Sequence, residues 1–175
     1  MIFAGTGHRP DKLGGHSKQA SILARNFVWT VVEIYKPHIT RIISGGALGF
    51  DTHLAAAALA HKIPYSLYLP FEGFDVKWWG DNRKKLRYLC EHADEVKYVC
   101  LPGYQAFKMQ IRNKAMVDSC QQLFTLYDGW SKGGTHNCVK YARQQGKPLV
   151  PLWDAWLDYQ RTGTCDFPSL GPIHV

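Results

Sequence analysis

Acidic residues are scarce in this chain: 14 Asp and Glu against 21 Lys and Arg leave a formal charge of +7. The excess favours polyanionic or phosphorylated partners without naming one. Long hydrophobic runs are missing as well. No stretch reaches the roughly 18 apolar residues of a membrane span, and Met1-Ile2-Phe3-Ala4-Gly5 lacks the charged and long apolar regions of a signal peptide. The expectation is a cytosolic protein without a membrane partner. The five cysteines, Cys90, Cys100, Cys120, Cys138 and Cys165, are odd in number and contain no C-x-x-C pair, which suits reduced, mostly buried thiols and argues against a disulfide framework or a zinc site. The eight histidines make no H-E-x-x-H, so no metal site is expected. No repeat or low-complexity run is present, and the 46% of hydrophobic residues is enough to fill the core of one domain.

What is present is an alternation of strand and helix signals. Met1–Ala4, Arg41–Ser44, Tyr65–Leu69, Glu95–Cys100, Gln122–Tyr127 and Pro148–Leu152 read as strands. Helical segments run from about Ser17 to Tyr35, Asp51 to His61, Gly80 to His92, Gln105 to Asp118 and Asn137 to Gln145. Strands separated by helices of about ten or more residues imply βαβ crossovers. The predicted fold class is therefore α/β: a Rossmann-like, doubly wound, mainly parallel sheet of about five to six strands with helices on both faces. Residues 1–152 form the predicted domain, and 153–175 an extension packed on it.

In such sheets ligands bind at the carboxyl ends of the strands, near a switch in strand order. The loops at those ends hold the unusual residues. Arg41-Ile42-Ile43-Ser44-Gly45-Gly46-Ala47-Leu48-Gly49-Phe50-Asp51-Thr52 passes from a strand through a glycine turn into an alanine-rich helix. Small residues admit close approach of a ligand, and the unpaired N–H groups of a helix N-terminus attract anions. A tight crossover with Asp51 as a first-turn acid explains the same residues structurally. After the first strand, Gly5-Thr6-Gly7-His8-Arg9-Pro10 offers an Arg9 fork for phosphate and a Thr6 hydroxyl. The third loop, Pro70-Phe71-Glu72-Gly73-Phe74, places an acid suited to ribose hydroxyls between rings suited to a base, with Trp78 and Trp79 as a further stacking wall or a core edge.

Two more segments complete the set. On the Gln105–Asp118 helix the period predicts Ile111, Ala115 and Met116 toward the core, with Arg112 and Asn113 near the flank. Asp128-Gly129 and Lys132-Gly133-Gly134-Thr135-His136-Asn137 form a second glycine turn before a second helix, so two helix N-termini can share one phosphorylated ligand. The basic runs Arg83-Lys84-Lys85-Leu86-Arg87 and Lys140, Arg143 and Lys147 read as solvated helix faces, with a nucleic-acid groove as the lesser alternative.

Taken in order, these landmarks resemble the SLOG superfamily, and within it the YpsA-like branch, in a variant like those of phages and bacteria. The carrying residues are Gly5-Thr6-Gly7-His8-Arg9-Pro10, Ile43 to Thr52, Leu69 to Gly73, Arg112-Asn113-Lys114-Ala115-Met116-Val117-Asp118, Leu126 to Gly129 and Gly133-Gly134-Thr135. The resemblance implies a domain that binds a nucleotide or a nucleotide-derived ligand, ADP-ribose-like or cyclic, as sensor or sequestering protein. The superfamily also includes lonely-guy phosphoribohydrolases and a DNA-processing protein that binds single strands. The lonely-guy motif G-G-x-G-T-x-x-E departs here, since Cys138 stands where its glutamate is expected. N-glycosidic hydrolysis by Glu72 or Asp51 is therefore the alternative, and single-stranded nucleic-acid binding a further one. The expected ligand residues are Gly5, Thr6, Gly7, His8, Arg9, Ser44, Gly45, Gly46, Ala47, Gly49, Asp51, Thr52, Pro70, Phe71, Glu72, Arg112, Asn113, Asp128, Gly129, Gly133, Gly134, Thr135 and Asn137. No cofactor beyond a nucleotide-type ligand is required, and a homo-oligomer is compatible with the fold.

Overall fold

A computed structural model describes residues 1–170. Six strands, β1 (Ile2–Gly7), β2 (Arg41–Ser44), β3 (Tyr65–Leu69), β4 (Glu95–Tyr98), β5 (Gln122–Leu126) and β6 (Leu149–Pro151), form one sheet in the order β4-β3-β2-β1-β5-β6. Every neighbouring pair is parallel. The chain steps outward from β1 to β4 and then returns to place β5 on the other side of β1. The switch in strand order therefore falls at β1, and the loops after β1, β2, β3 and β5 share one edge.

Helices α1 (Lys18–Tyr35), α2 (Phe50–Ala60), α3 (Asn82–His92) and α6 (Trp153–Thr162) cover one face, and α4 (Ala106–Asp118) and α5 (Gly134–Gln144) the other. β3 and β5 are buried at every position, as parallel strands covered on both faces are, whereas the edge strand β4 is largely exposed. α1 shows how local sequence sets an element. The Ser17 side chain accepts the Ala20 N–H at its start, and Ala24, Phe27, Val28, Val31, Val32 and Tyr35 recur at three- and four-residue spacing to form its buried stripe. Phe27 meets Trp156 of α6 edge-on, with ring centroids 5.2 Å apart.

Three sequence expectations change. β1 continues through Gly7 because its partner β5 carries the pairing on from Thr6↔Thr125 to Gly7↔Leu126. α5 begins at Gly134, three residues before the predicted start, where the Thr135 hydroxyl donates to the Gly7 carbonyl and Asn113 to the Gly134 carbonyl. The irregular tail holds α6, which ends on Gly163 in the left-handed region. The described part of the tail shares the main core: Trp156 is fully buried, Phe167 stacks on Phe27, and the Tyr35 hydroxyl donates to the Pro168 carbonyl. Residues 171–175 of the predicted extension lie outside the described residues.

Candidate functional site

α2 starts directly behind β1 and β2, and glycines allow that approach. A Cβ on Gly5 would fall 2.2 Å from Leu54 and one on Gly7 2.5 Å from Phe50, so both glycines serve the packing of β1 on α2. Gly49 has φ +95°, and a Cβ there would meet the His8 carbonyl at 2.7 Å. The Phe50 N–H donates to that same carbonyl at 3.2 Å. Ser44 is fully buried; its hydroxyl donates to the Asp51 carbonyl at 2.7 Å and accepts the Gly46 N–H at 3.2 Å. Thr52 turns its hydroxyl back to the Gly49 carbonyl. These residues build the turn and leave little of themselves for a ligand.

The charges that remain sit beside the turn. Arg112 is buried with only 7% of its surface exposed, and its Nη1 donates to the Gly45 carbonyl and stands 3.5 Å from Asp51 Oδ2. Burial pushes the Asp51 carboxyl up to about 6, against Arg112 and the Ala47 N–H, which pull it down. Burial likewise lowers the Arg112 pKa although Asp51 opposes this. Both partners are thus desolvated more than their mutual attraction offsets. The Arg112 Nε is buried without a hydrogen-bond partner. With Arg9 close enough to act on both, the group carries a net positive charge.

Arg112 and Arg9 line a cleft of about 660 Å³, a size typical of small-molecule sites. Ala47 of the glycine turn, Phe71 and Glu72 form further parts of its wall. Phe71, Phe74, Trp78 and Tyr104 form a connected aromatic side: Phe71 lies edge-on to Phe74 and to Tyr104, and Phe74 edge-on to Trp78. Pro70, at the end of β3, accepts the Cys100 N–H and holds the two loops together. Trp79 is 78% exposed and outside the lining.

The second glycine turn is built differently. Thr135 donates its hydroxyl to the Gly7 carbonyl at 3.0 Å, and Asn113 donates to the Gly134 carbonyl at 3.3 Å, so both tie α5 to its neighbours. Gly129, Gly133 and Gly134 have open space where a Cβ would stand, and Asn137 is exposed. Asp128 binds Lys12, accepts the Trp130 N–H at 3.0 Å and lies 2.8 Å from His8 Nε2. Partial burial raises its pKa, but the bonds from Lys12, Trp130 and His8 prevail and hold it at about 2. Burial lowers the His8 pKa against the pull of Asp128, whose backbone N–H also lies 3.0 Å from His8 Nε2. Thr6 is buried beside Cys138, whose thiol burial pushes up to about 12. A thiol in that state is neither nucleophile nor anion at neutral pH.

The structure therefore gathers Arg9, Ala47, Phe71, Glu72 and Arg112 on one cleft, whereas Gly133, Gly134, Thr135 and Asp128 are outside its lining. The expected phase of α4 holds in part: Met116 is buried and Ala115 packs on the core, but Ile111 is 40% exposed and Arg112 and Asn113 are buried, because the inward face of α4 serves the polar cluster as well as the core. Tyr104 and Met109 also line the cleft, and no sequence signal marked them. Among the described residues no group of three or more His, Cys, Asp or Glu is placed to hold a metal ion, and no helix is long and apolar enough to cross a membrane.

Comparison with known proteins bears on this geometry. Residues 3–149 match the model of the YspA SLOG family. The chain belongs to that family. It is 34% identical over 128 residues to the SPbeta prophage-derived protein YoqJ of Bacillus subtilis (strain 168), covering 63% of this chain and 74% of YoqJ. Among solved structures it resembles the DNA processing protein A (DprA) of Streptococcus pneumoniae, with TM-score 0.62, 20% identity and coverage of 94% of this chain and 57% of that one. DprA from Helicobacter pylori, described for its single-stranded DNA binding mode, gives TM-score 0.64 at 18% identity over 86% of this chain and 64% of that one. The molybdenum cofactor carrier protein of Chlamydomonas reinhardtii gives TM-score 0.52 at 15% identity, covering 86% and 74%. This chain spans less than two thirds of either DprA chain. At these identities the structural likenesses speak to the Rossmann-like fold, and family membership establishes a SLOG domain.

Proposed function

We propose that the cleft binds a nucleotide or a nucleotide-derived phosphate ester, ADP-ribose-like or cyclic, and that the domain serves as a sensor or sequestering protein for it. The observation that carries this reading is Arg112, a desolvated cation with a buried, unpartnered Nε, which lines the cleft beside the start of α2. An anionic phosphate there completes a charge cluster that Asp51 only partly neutralises. Arg9 adds a second, exposed guanidinium. The aromatic side of Phe71, Phe74, Trp78 and Tyr104 suits a base, and Glu72 suits ribose hydroxyls. The DprA and molybdenum cofactor carrier neighbours are named for handling a DNA strand and a cofactor, consistent with a ligand-carrying role.

The test is a thermal-shift panel of nucleotides, dinucleotides and short oligonucleotides on protein whose co-purified small molecules have first been released and weighed by mass spectrometry. Binding raises the melting temperature in proportion to ligand concentration over Kd. Arg112→Met should abolish the shift. A flat response across the panel, with nothing co-purified, sinks the reading. Tight oligonucleotide binding with steep salt dependence, and none to mononucleotides, would favour the strand-binding alternative.

One observation supports a hydrolytic reading. Glu72 is exposed on the same cleft wall, whereas Cys138 is fully buried and outside the lining. A carboxylate facing the ribose can stabilise an oxocarbenium-like transition state. Release of free base from nucleoside monophosphates or NAD, lost in a folded Glu72→Gln variant, would establish it.

A further inference from the structure

Lys108 is buried at 8% exposure, and its ammonium is matched with carbonyls instead of a carboxylate. It donates to Leu101 O at 2.8 Å, Gly103 O at 2.7 Å and Pro102 O at 3.3 Å, which uses all three of its protons. The same ammonium stands 5.3 Å from the centroid of the Phe71 ring. Its two sets of contacts therefore reach two parts of one wall, since Phe71, Gly103 and Tyr104 all line the cleft. The outer side of this loop has little support. Leu101 is 83% and Tyr104 75% exposed, and Gly103 has φ +100° with open space around it. The β3–β4 pairing continues only as far as the Cys100 N–H on the Pro70 carbonyl.

We propose that Lys108 is a positioning residue for the aromatic side of the cleft: its ammonium straps the Leu101–Gly103 carbonyls inward, so that Tyr104 is held against the buried Phe71 ring and presents a recognition surface for a planar base. This rests on the nucleotide reading given above. The phosphate side, built on Arg9, Arg112 and the α2 turn, does not depend on the strap. A cation that holds three carbonyls and backs one ring sets the spacing between Phe71 and Tyr104, whose centroids are 6.3 Å apart.

The experiment compares wild type with Lys108→Met and Lys108→Ala, using the four ribonucleoside 5′-monophosphates and inorganic phosphate as probes. In Lys108→Met the affinity for the tightest nucleotide should fall by roughly tenfold, the scale of one lost ring contact, while phosphate affinity stays within about twofold. Amide exchange at Val99 and Cys100, whose N–H groups donate to the Leu69 and Pro70 carbonyls just before the strapped segment, should rise. In Lys108→Ala, n-propylammonium, which replaces the missing stem and charge, should restore both nucleotide affinity and exchange protection. Unchanged affinity and exchange in Lys108→Met would overturn the proposal. So would a joint fall of nucleotide affinity, phosphate affinity and melting temperature without rescue by propylammonium. If wild type binds none of the four nucleotides, the functional reading fails for that ligand class, while exchange at Val99 and Cys100 and its reversal by propylammonium still decide the strap.

Discussion

The two glycine turns look alike in the chain and differ in the fold. At the first, Gly45, Gly46 and Gly49 are enclosed, and a Cβ on Gly45 would fall 1.8 Å from Arg112 Nη1. At the second, Gly129, Gly133 and Gly134 border open space. The acids beside them differ in the same sense. Asp51 is buried and pushed up to about 6, whereas Asp128 is satisfied by Lys12, His8 and a backbone N–H and held at about 2. A glycine motif at a helix N-terminus thus describes backbone geometry, and the side chains converging on it decide whether charge is left over for a ligand. At α2 charge is left over. At α5 the neighbouring loops have consumed it.

Substitutions at the two turns should separate them. Arg112→Met should have the largest effect, since it strands Asp51 in a buried site; a loss of about 3–5 kcal/mol in urea unfolding is expected, with phosphate binding abolished. Gly49→Ala should cost roughly 2–4 kcal/mol, because it adds a backbone clash with His8 to a left-handed φ. Gly133→Ala shares the positive φ of +98° without the clash, so about 1–2 kcal/mol is expected. If these two glycine variants cost the same, the contrast between the turns is wrong.

The pH dependence of stability should also distinguish the acids. The folded Asp51 pKa is raised above the unfolded value, so its contribution is fully present below about pH 4 and is lost as pH rises through about 6. Unfolding measured from pH 4 to 7 should show a swing of about 2 kcal/mol that Asp51→Asn removes. The Asp128 pKa is depressed, so its contribution is present above about pH 4 and is lost as pH falls toward 2. The smallest effect belongs to Gly134→Ala, which has ordinary φ and open space; stability within about 0.5 kcal/mol of wild type, with unchanged nucleotide binding, is expected. A clear loss of binding there would bring the second turn back into the site.

Much of the fold was legible because local patterns and tertiary packing agree. β2 and β3 have the bounds their apolar runs predict, and α1 follows from the Ser17 cap and its apolar stripe. α6 was missed although Trp153, Trp156 and Leu157 recur at three- and four-residue spacing before Gly163. The site was legible less evenly. Arg9, Ala47, Phe71, Glu72 and Arg112 were among the expected residues and do meet on the cleft. Gly5 and Gly7 carry packing instead, which no strand-end rule distinguishes from ligand approach. Periodicity read α4 only in part: Met116 is in the core as expected, but Lys108, Arg112 and Asn113 also point inward while Phe107 and Ile111 are exposed, and the spacing of apolar residues finds a buried face only where that face is itself apolar.

By itself the sequence determined the alternation of elements, the parallel sheet and the order of loops at its carboxyl edge, since these follow from apolar period and chain connectivity. The ordered motifs likewise carried the SLOG resemblance. Only the tertiary structure decided which of two similar turns keeps an unneutralised cation. That depends on how Arg112 of α4 is buried against Gly45 and Asp51, residues more than sixty positions earlier, and desolvation of charge is a property of such long-range convergence. It also decided that Lys108 would face three carbonyls and a ring rather than solvent.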